Sequence, residues 1–352
     1  MQRSSWTCIT SPITSREHTS KPPNSNSDNY SKTHKKPVKC IVTNSLLIHL
    51  GDDAALNERS AVTLKQINED NIRDLPKPEY ISIVCPVLGV IDDEMGKVTC
   101  YTIGKGDEIS AEMLCDWALH VRRHYVRDDT LAEYCEDEDR DLDAIARMVF
   151  LPDKATTISG DFGEVLLSDI LQFKEGYEVP RYKQVNRANR NMSDPGVDVL
   201  AYRISDSIPY DPNDELVTVE VKTRATYEKD VLSKALMAAG KDVKKDHARI
   251  AMTLEMYKKR SSHARDKRTK KEVDRFMKKS EKPYKHVLAM AVVVGAEDLQ
   301  AENSKLQIAR NSQIYDDEKR KILRFETVNR VYVVHKGELM RLIHSIYDGG
   351  VS

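Results

Sequence analysis

No apolar run in this 352-residue chain approaches the ~18–20 residues that a membrane-crossing helix requires. The longest, Val287 to Val294, suits a buried strand instead. The N-terminus lacks the apolar core of a secretory signal, so a cytoplasmic protein is expected. Six cysteines are scattered without a Cys-x-x-Cys pair, a spacing that fits neither a zinc cluster nor a disulfide framework, so reduced, mostly structural thiols are expected. His120 and His124 stand four apart on an expected helix, but no His-Glu-x-x-His motif or nearby third ligand joins them, so surface or packing roles are expected. There is no G-x-x-x-x-G-K-[ST] phosphate loop. The nearest approach, Gly89 to Lys97, has the wrong spacing, so an ATP-driven motor would have to lie on another chain.

Net charge is also nearly absent, at −1, but its distribution is uneven. From Val221 to Lys285 there are 21 Lys/Arg against 9 Asp/Glu, an excess of 12. From Asp128 to Asp143 there are nine acids and one base, Arg140. Charge runs are commonly solvated faces, yet the basic block begins at Lys222 and suits a phosphate backbone. Its cluster Lys258, Lys259, Arg260, Arg265, Lys267 and Arg268 is the candidate nucleic-acid contact.

Residues 1–39 are rich in Ser, Thr, Asn, Pro and Lys and are expected to form a disordered tail. Residues 40–150 read as an α+β region, with strands at Ile41 to Leu50, Tyr80 to Asp92 and Lys97 to Ile103. Ser110 should cap a helix whose apolar face is Met113, Leu114, Trp117, Ala118 and Val121. The acidic stretch after it reads as a solvated loop leading to a short helix at Asp143 to Val149. Residues 151–352 hold a helix capped by Ser159 or Asp161 and strands at Tyr177 to Val185, Gly196 to Ile204, Glu215 to Thr223, Val287 to Val294 and Phe325 to Val334. They also hold a basic helical insertion at about 228–282 and a closing helix at Lys336 to Tyr347.

The chemistry concentrates in this second half. Along Leu216-Val217-Thr218-Val219-Glu220-Val221-Lys222 the side chains alternate, so three valines share one face and Glu220 and Lys222 the other. A lone E-x-K is weak on its own, since an incidental ion pair on a solvated sheet face also fits. Asp198, in Gly196-Val197-Asp198-Val199-Leu200, adds to it. If the Pro- and Asp-rich segment Ser205 to Asn213 is a hairpin loop, the antiparallel register sets Asp198 opposite Glu220. Opposed like charges need a compensating cation, and a divalent metal supplies one. Glu164 lies on a helix that is apolar nearly all round and hence buried, so its carboxylate should be paired with an arginine or bound to metal.

Together Glu164, Asp198, Glu220 and Lys222 resemble the site of the PD-(D/E)xK nuclease superfamily. The resemblance implies an α/β fold with a restriction-endonuclease-like core, a mixed central sheet flanked by helices, and here an N-terminal α+β extension. It implies that Asp198, Glu220 and Glu164 ligate Mg²⁺, with Mn²⁺ as an alternative, and that Lys222 positions the attacking water. More narrowly, Ser159-Gly160-Asp161-Phe162-Gly163-Glu164-Val165-Leu166-Leu167, followed by Gly196-Val197-Asp198 and Glu220-Val221-Lys222, resembles the HamA family. That family supplies the nuclease subunit of the Hachiman anti-phage defence system. The resemblance implies DNA as substrate and a separate superfamily 2 helicase subunit, HamB-like, as partner. Two other readings stay open: a stand-alone restriction or repair nuclease, and a non-catalytic DNA-binding or scaffold subunit on a nuclease-like fold.

Overall fold

The β-branched runs pair into one mixed sheet. The computed structural model describes residues 75–348 except 88–90, 94–95, 105–108, 139–141, 186, 206–210, 229–230, 244–246, 282, 297–313, 317–320 and 324–327. In chain order the first half contributes β1 (Val84–Pro86), β2 (Ile91–Asp93), β3 (Gly96–Ile103), α1 (Ala111–Arg123), α2 (Asp128–Glu138), α3 (Leu142–Ile145) and α4 (Ala155–Phe173). Then come β4 (Val199–Arg203), β5 (Glu215–Arg224), α5 (Val231–Asp242), α6 (His247–His263), α7 (Lys267–Phe276), β6 (Lys285–Val294), β7 (Ile314–Asp316), β8 (Lys321–Leu323), β9 (Arg330–His335) and α8 (Leu339–Tyr347). The main sheet has seven strands in the order β1-β3-β9-β6-β5-β4, with β2 also on β3. The four strands β3, β9, β6 and β5 run parallel, whereas β4 joins β5 antiparallel. β7 and β8 form a separate two-stranded ladder.

Helices cover both faces, as a parallel core requires. On one face Val217, Val219 and Val221 of β5 and Ala289, Ala291 and Val293 of β6 pack with Phe162, Val165, Leu166 and Ile170 of α4 and with residues of α1 and α8. On the other, Met290, Val292 and Val294 meet Val231, Leu232, Ala235 and Ala239 of α5. Near β4, Leu200, Tyr202 and Leu216 meet Ile250, Leu254 and Tyr257 of α6 and Val273 and Phe276 of α7. Ser110 caps α1, its hydroxyl accepting from the Met113 amide at 3.1 Å, and Trp117 stacks on Tyr80 with ring centroids 3.8 Å apart. No helix among the described residues is long and apolar enough to cross a membrane.

Several elements differ from the sequence expectation. The strand expected at Tyr80 to Asp92 is a 3-10 turn, Glu79–Ile83, followed by the short β1 and β2. The acidic stretch expected as a loop is helix α2, with Asp128 and Asp129 favourably placed in its first turn. α4 begins at Ala155, so Ser159 and Asp161 lie inside it and Lys154 precedes it without a side-chain cap. Among the described residues the extended stretch after α4 makes one bridge, Glu178 to Tyr202, and Arg181, at φ 58°, turns the chain out of strand geometry. Among the described residues the basic insertion forms three helices, α5, α6 and α7. Cys85 and Cys100 are free, but Cys115 is disulfide-bonded, contrary to the expectation of reduced thiols. The strand expected at Ile41 to Leu50 falls outside the described residues.

Gly163 sets how closely α4 approaches β5. A Cβ there would lie 2.2 Å from the Thr223 hydroxyl and 3.3 Å from a Val221 methyl, whereas one at Gly160 meets nothing within 4 Å. Gly163→Ala should therefore destabilise the protein by about 1–3 kcal/mol through overpacking. Gly160→Ala, relieved only of helical glycine's entropy, should stabilise it by about 0.5–1 kcal/mol. Denaturant melts of the two variants check this; equal effects would mean that α4 does not depend on the close approach.

Candidate active site

Asp198 stands one residue before β4. The β4–β5 register pairs Val199 with Val219 and Arg203 with Glu215, and its continuation sets Asp198 across from Glu220, the opposition inferred from the sequence. The Asp198 carboxylate accepts a hydrogen bond from the Val221 amide at 2.9 Å. Glu220 is buried and accepts from Lys222 Nζ at 3.0 Å on one oxygen and from an Arg249 Nη at 3.1 Å on the other. Lys222 is shared with Asp242 at the end of α5, 2.8 Å away. Glu164 comes from α4 on the valine face. It accepts from Gln184 Nε2 at 3.0 Å and lies 4.0 Å from Lys183 Nζ, which is itself 3.6 Å from Asp198. The four sequence candidates thus belong to one chain of contacts through Asp198.

Lys183, Gln184, Arg249 and Thr253 were not singled out from the sequence. Arg249 donates to the Gly196 carbonyl at 2.6 Å as well as to Glu220, and Thr253 accepts from the Val197 amide at 3.0 Å. Their i, i+4 spacing, continued by buried Tyr257, was a legible signal of one helix face lining the site. Lys183 and Gln184 gave no such signal, because the turn at Arg181 that aims them inward has no sequence mark.

Burial dominates the electrostatics. It raises Glu164 to about 8, opposed by Lys183 and reinforced by the negative charges of Asp198 and Asp161. Burial and Asp198 likewise raise Glu220, against Lys222 and Arg249. For Lys222, burial works against the ammonium, but hydrogen bonds to Asp242 and Glu220 outweigh it and raise its pKa. Buried carboxylates whose ionised form is disfavoured, beside hard oxygen donors and the Val221 backbone, fit a divalent ion such as Mg²⁺ or Mn²⁺. The carboxylates are not drawn in to a common point: among the described residues the one group with three donor atoms within 4.8 Å of one another is His120, His124 and Asp169.

In that group a cation is already present. Arg181 lies 2.6 Å from Asp169 and 2.9 Å from His124 Nε2, and His120 Nε2 lies 3.0 Å from Asp169. Guanidinium can only donate, so His124 Nε2 accepts; burial and then Arg181 hold that imidazole neutral, well below its usual pKa. Asp169, although buried, is kept ionised chiefly by His120 and Arg181. The two histidines are packing residues in a buried ion cluster, and neither is on the surface.

The basic candidates divide. Lys259, Arg265 and Lys267 are exposed. Lys258 pairs with Asp274 at 2.7 Å, and exposed Arg268 pairs with Glu272 and Glu178. Arg260 is 12% exposed and donates to the Tyr182 and Lys183 carbonyls and to Asp194, so its charge braces the site loop.

The family model for HamA matches residues 79–349. No curated protein matches the chain.

A raised carboxylate makes stability fall with pH. The folded state holds the Glu164 proton more tightly than the unfolded chain, whose glutamate titrates near ~4.3. Stability is full below that value, declines as pH rises toward about 8, and stays reduced above. Relative to Glu164→Gln, the metal-free wild-type protein should therefore lose melting temperature between pH 5 and pH 8, against the opposite trend that neutral His124 contributes, and Glu164→Gln should melt higher than wild type at pH 8. Parallel pH profiles for the two proteins would show that Glu164 is ionised throughout.

Proposed function

The chain belongs to the HamA family, and from that premise we propose that it is a Mg²⁺-dependent DNA endonuclease of the PD-(D/E)xK type. In this reading it is the cytoplasmic effector subunit of a Hachiman anti-phage defence complex, restrained or directed by a HamB-like superfamily 2 helicase. The observation that carries the enzymatic part is the opposition of Asp198 to Glu220, with Lys222 hydrogen-bonded to Glu220 and buried Glu164 reached through Lys183.

Asp198, Glu220 and Glu164 would hold the ion, Mg²⁺ or Mn²⁺. When bound, it polarises the scissile phosphoryl group and lowers the pKa of water. Lys222 orients the attacking water and offers its ammonium to the charge that develops on phosphate; its tie to Asp242 fixes where that ammonium points. Arg249 holds Glu220 from the opposite oxygen, so the carboxylate is oriented between two cations. Exposed Lys259, Arg265 and Lys267 extend a positive surface from the helix that lines the site, suited to a sugar–phosphate backbone.

The test is incubation of the purified chain, with and without its helicase partner, with plasmid and linear DNA in Mg²⁺ or EDTA. Asp198→Asn keeps an acceptor for the Val221 amide and should remain folded while losing cleavage. Lys222→Ala should lower the rate by ~10²–10³. Folded variants that cut at the wild-type rate would overturn the assignment.

A second expectation concerns binding. Neutralising Lys259, Arg265 and Lys267 together should weaken DNA association. It should also reduce the log–log salt slope by roughly 0.9 for each phosphate that no longer meets a cation. An unchanged slope would return these residues to a solvated face.

A further inference from the structure

Helix α4 buries three acids, and a short stretch of chain after it answers each with a cation. Arg187 grips Asp161 through two bonds of 2.6 and 2.8 Å, and Arg181 lies 2.6 Å from Asp169. The middle cation, Lys183, is 4.0 Å from Glu164 and is drawn instead toward Asp198, at 3.6 Å, and the Val197 carbonyl, at 2.7 Å. Lys183 is 3% exposed, so its ammonium has little recourse to solvent. Arginine's planar fork suits a fixed pair; lysine's compact charge on a flexible stem suits one that must move.

We propose that Lys183 is a built-in counter-cation that spans Glu164 and Asp198 in the metal-free enzyme and gives up that place to the divalent ion. The inference rests on the proposed metal-dependent reading of the same site. Buried Glu164 and half-buried Asp198 need positive charge between them whenever either is ionised, with or without metal, and an ammonium supplies it until metal arrives. The backbone at Lys183 stays where it is, because Arg260 holds its carbonyl at 3.0 Å and that of Tyr182 at 2.7 Å. Only the side chain has to swing.

The experiment is Mn²⁺ binding to the full chain by calorimetry, together with melting curves in EDTA and in Mn²⁺. Lys183→Gln keeps a donor for the Val197 carbonyl but removes the charge. It should lower the metal-free melting temperature, bind Mn²⁺ about tenfold more tightly because a competing charge is gone, and gain more from Mn²⁺ than wild type does. Lys183→Arg, which keeps the charge, should bind Mn²⁺ no more tightly than wild type. If the metal-free glutamine variant does not fold, Mn²⁺ present during refolding should restore it; failure to restore it overturns the inference. Equal or weaker Mn²⁺ binding by folded Lys183→Gln would overturn it too, leaving a structural tie to Val197. A wild-type chain that binds no Mn²⁺ overturns the metal reading itself, and the inference with it.

Discussion

The charge buried along α4 is the constraint to which the surrounding structure answers. From Asp161 to Leu171 every residue of that helix is buried, three of them acids. Each ionised carboxylate carries a desolvation cost of several kcal/mol unless it is paired. Arg187 and Arg181 meet that cost at Asp161 and Asp169, Lys183 offsets it only in part at Glu164, and to deliver the three cations the chain accepts a left-handed residue at Arg181. The strained backbone persists because the guanidinium it buries is held by Asp169 and His124. The loop between α4 and β4 is therefore the ionic complement of the helix, and it fixes where Glu164 sits relative to Asp198.

α6 ties this arrangement to the rest of the molecule. Its residues Arg249, Thr253, Tyr257 and Arg260 follow one helical face, touching in turn Glu220 and the Gly196 carbonyl, the Val197 amide, the core, and the carbonyls of Tyr182 and Lys183. The same helix and its neighbour α7 present exposed cations to solvent. α6 thus carries both exposed Lys259 and the Arg249 that holds Glu220.

What was legible in the sequence was legible for local reasons. Strand alternation around Glu220 and the register that opposes it to Asp198 follow from a period of two and a hairpin connection. The all-round apolar character of Phe162 to Leu171 correctly announced burial. The cap at Ser110 is a contact between residues three apart. The unread parts depend on distant contacts. His120 meets Asp169 across 49 positions and Arg181 meets His124 across 57, so neither histidine could be paired from spacing. Acid-rich α2 looked like a loop because its stabilisation comes from its first-turn charges and from Leu131, packed with Val126, Ile145 and Ala146, rather than from a long apolar stripe. Lys183 was hidden by a strand expectation that one backbone angle defeats.

The three acid–cation pairs on α4 differ in how firmly they are held. Tight bidentate pairs such as Asp161 with Arg187 exclude change, because breaking one strands a charge in a medium that cannot solvate it. They hold helix and loop in register. A loose middle pair, with its lysine divided between two carboxylates and a carbonyl, leaves one position where positive charge can be exchanged without moving backbone. That position is the one beside Asp198. Rigid outer pairs thus make exchange at the centre possible, and they confine it to the end of β4 where the opposed carboxylates lie.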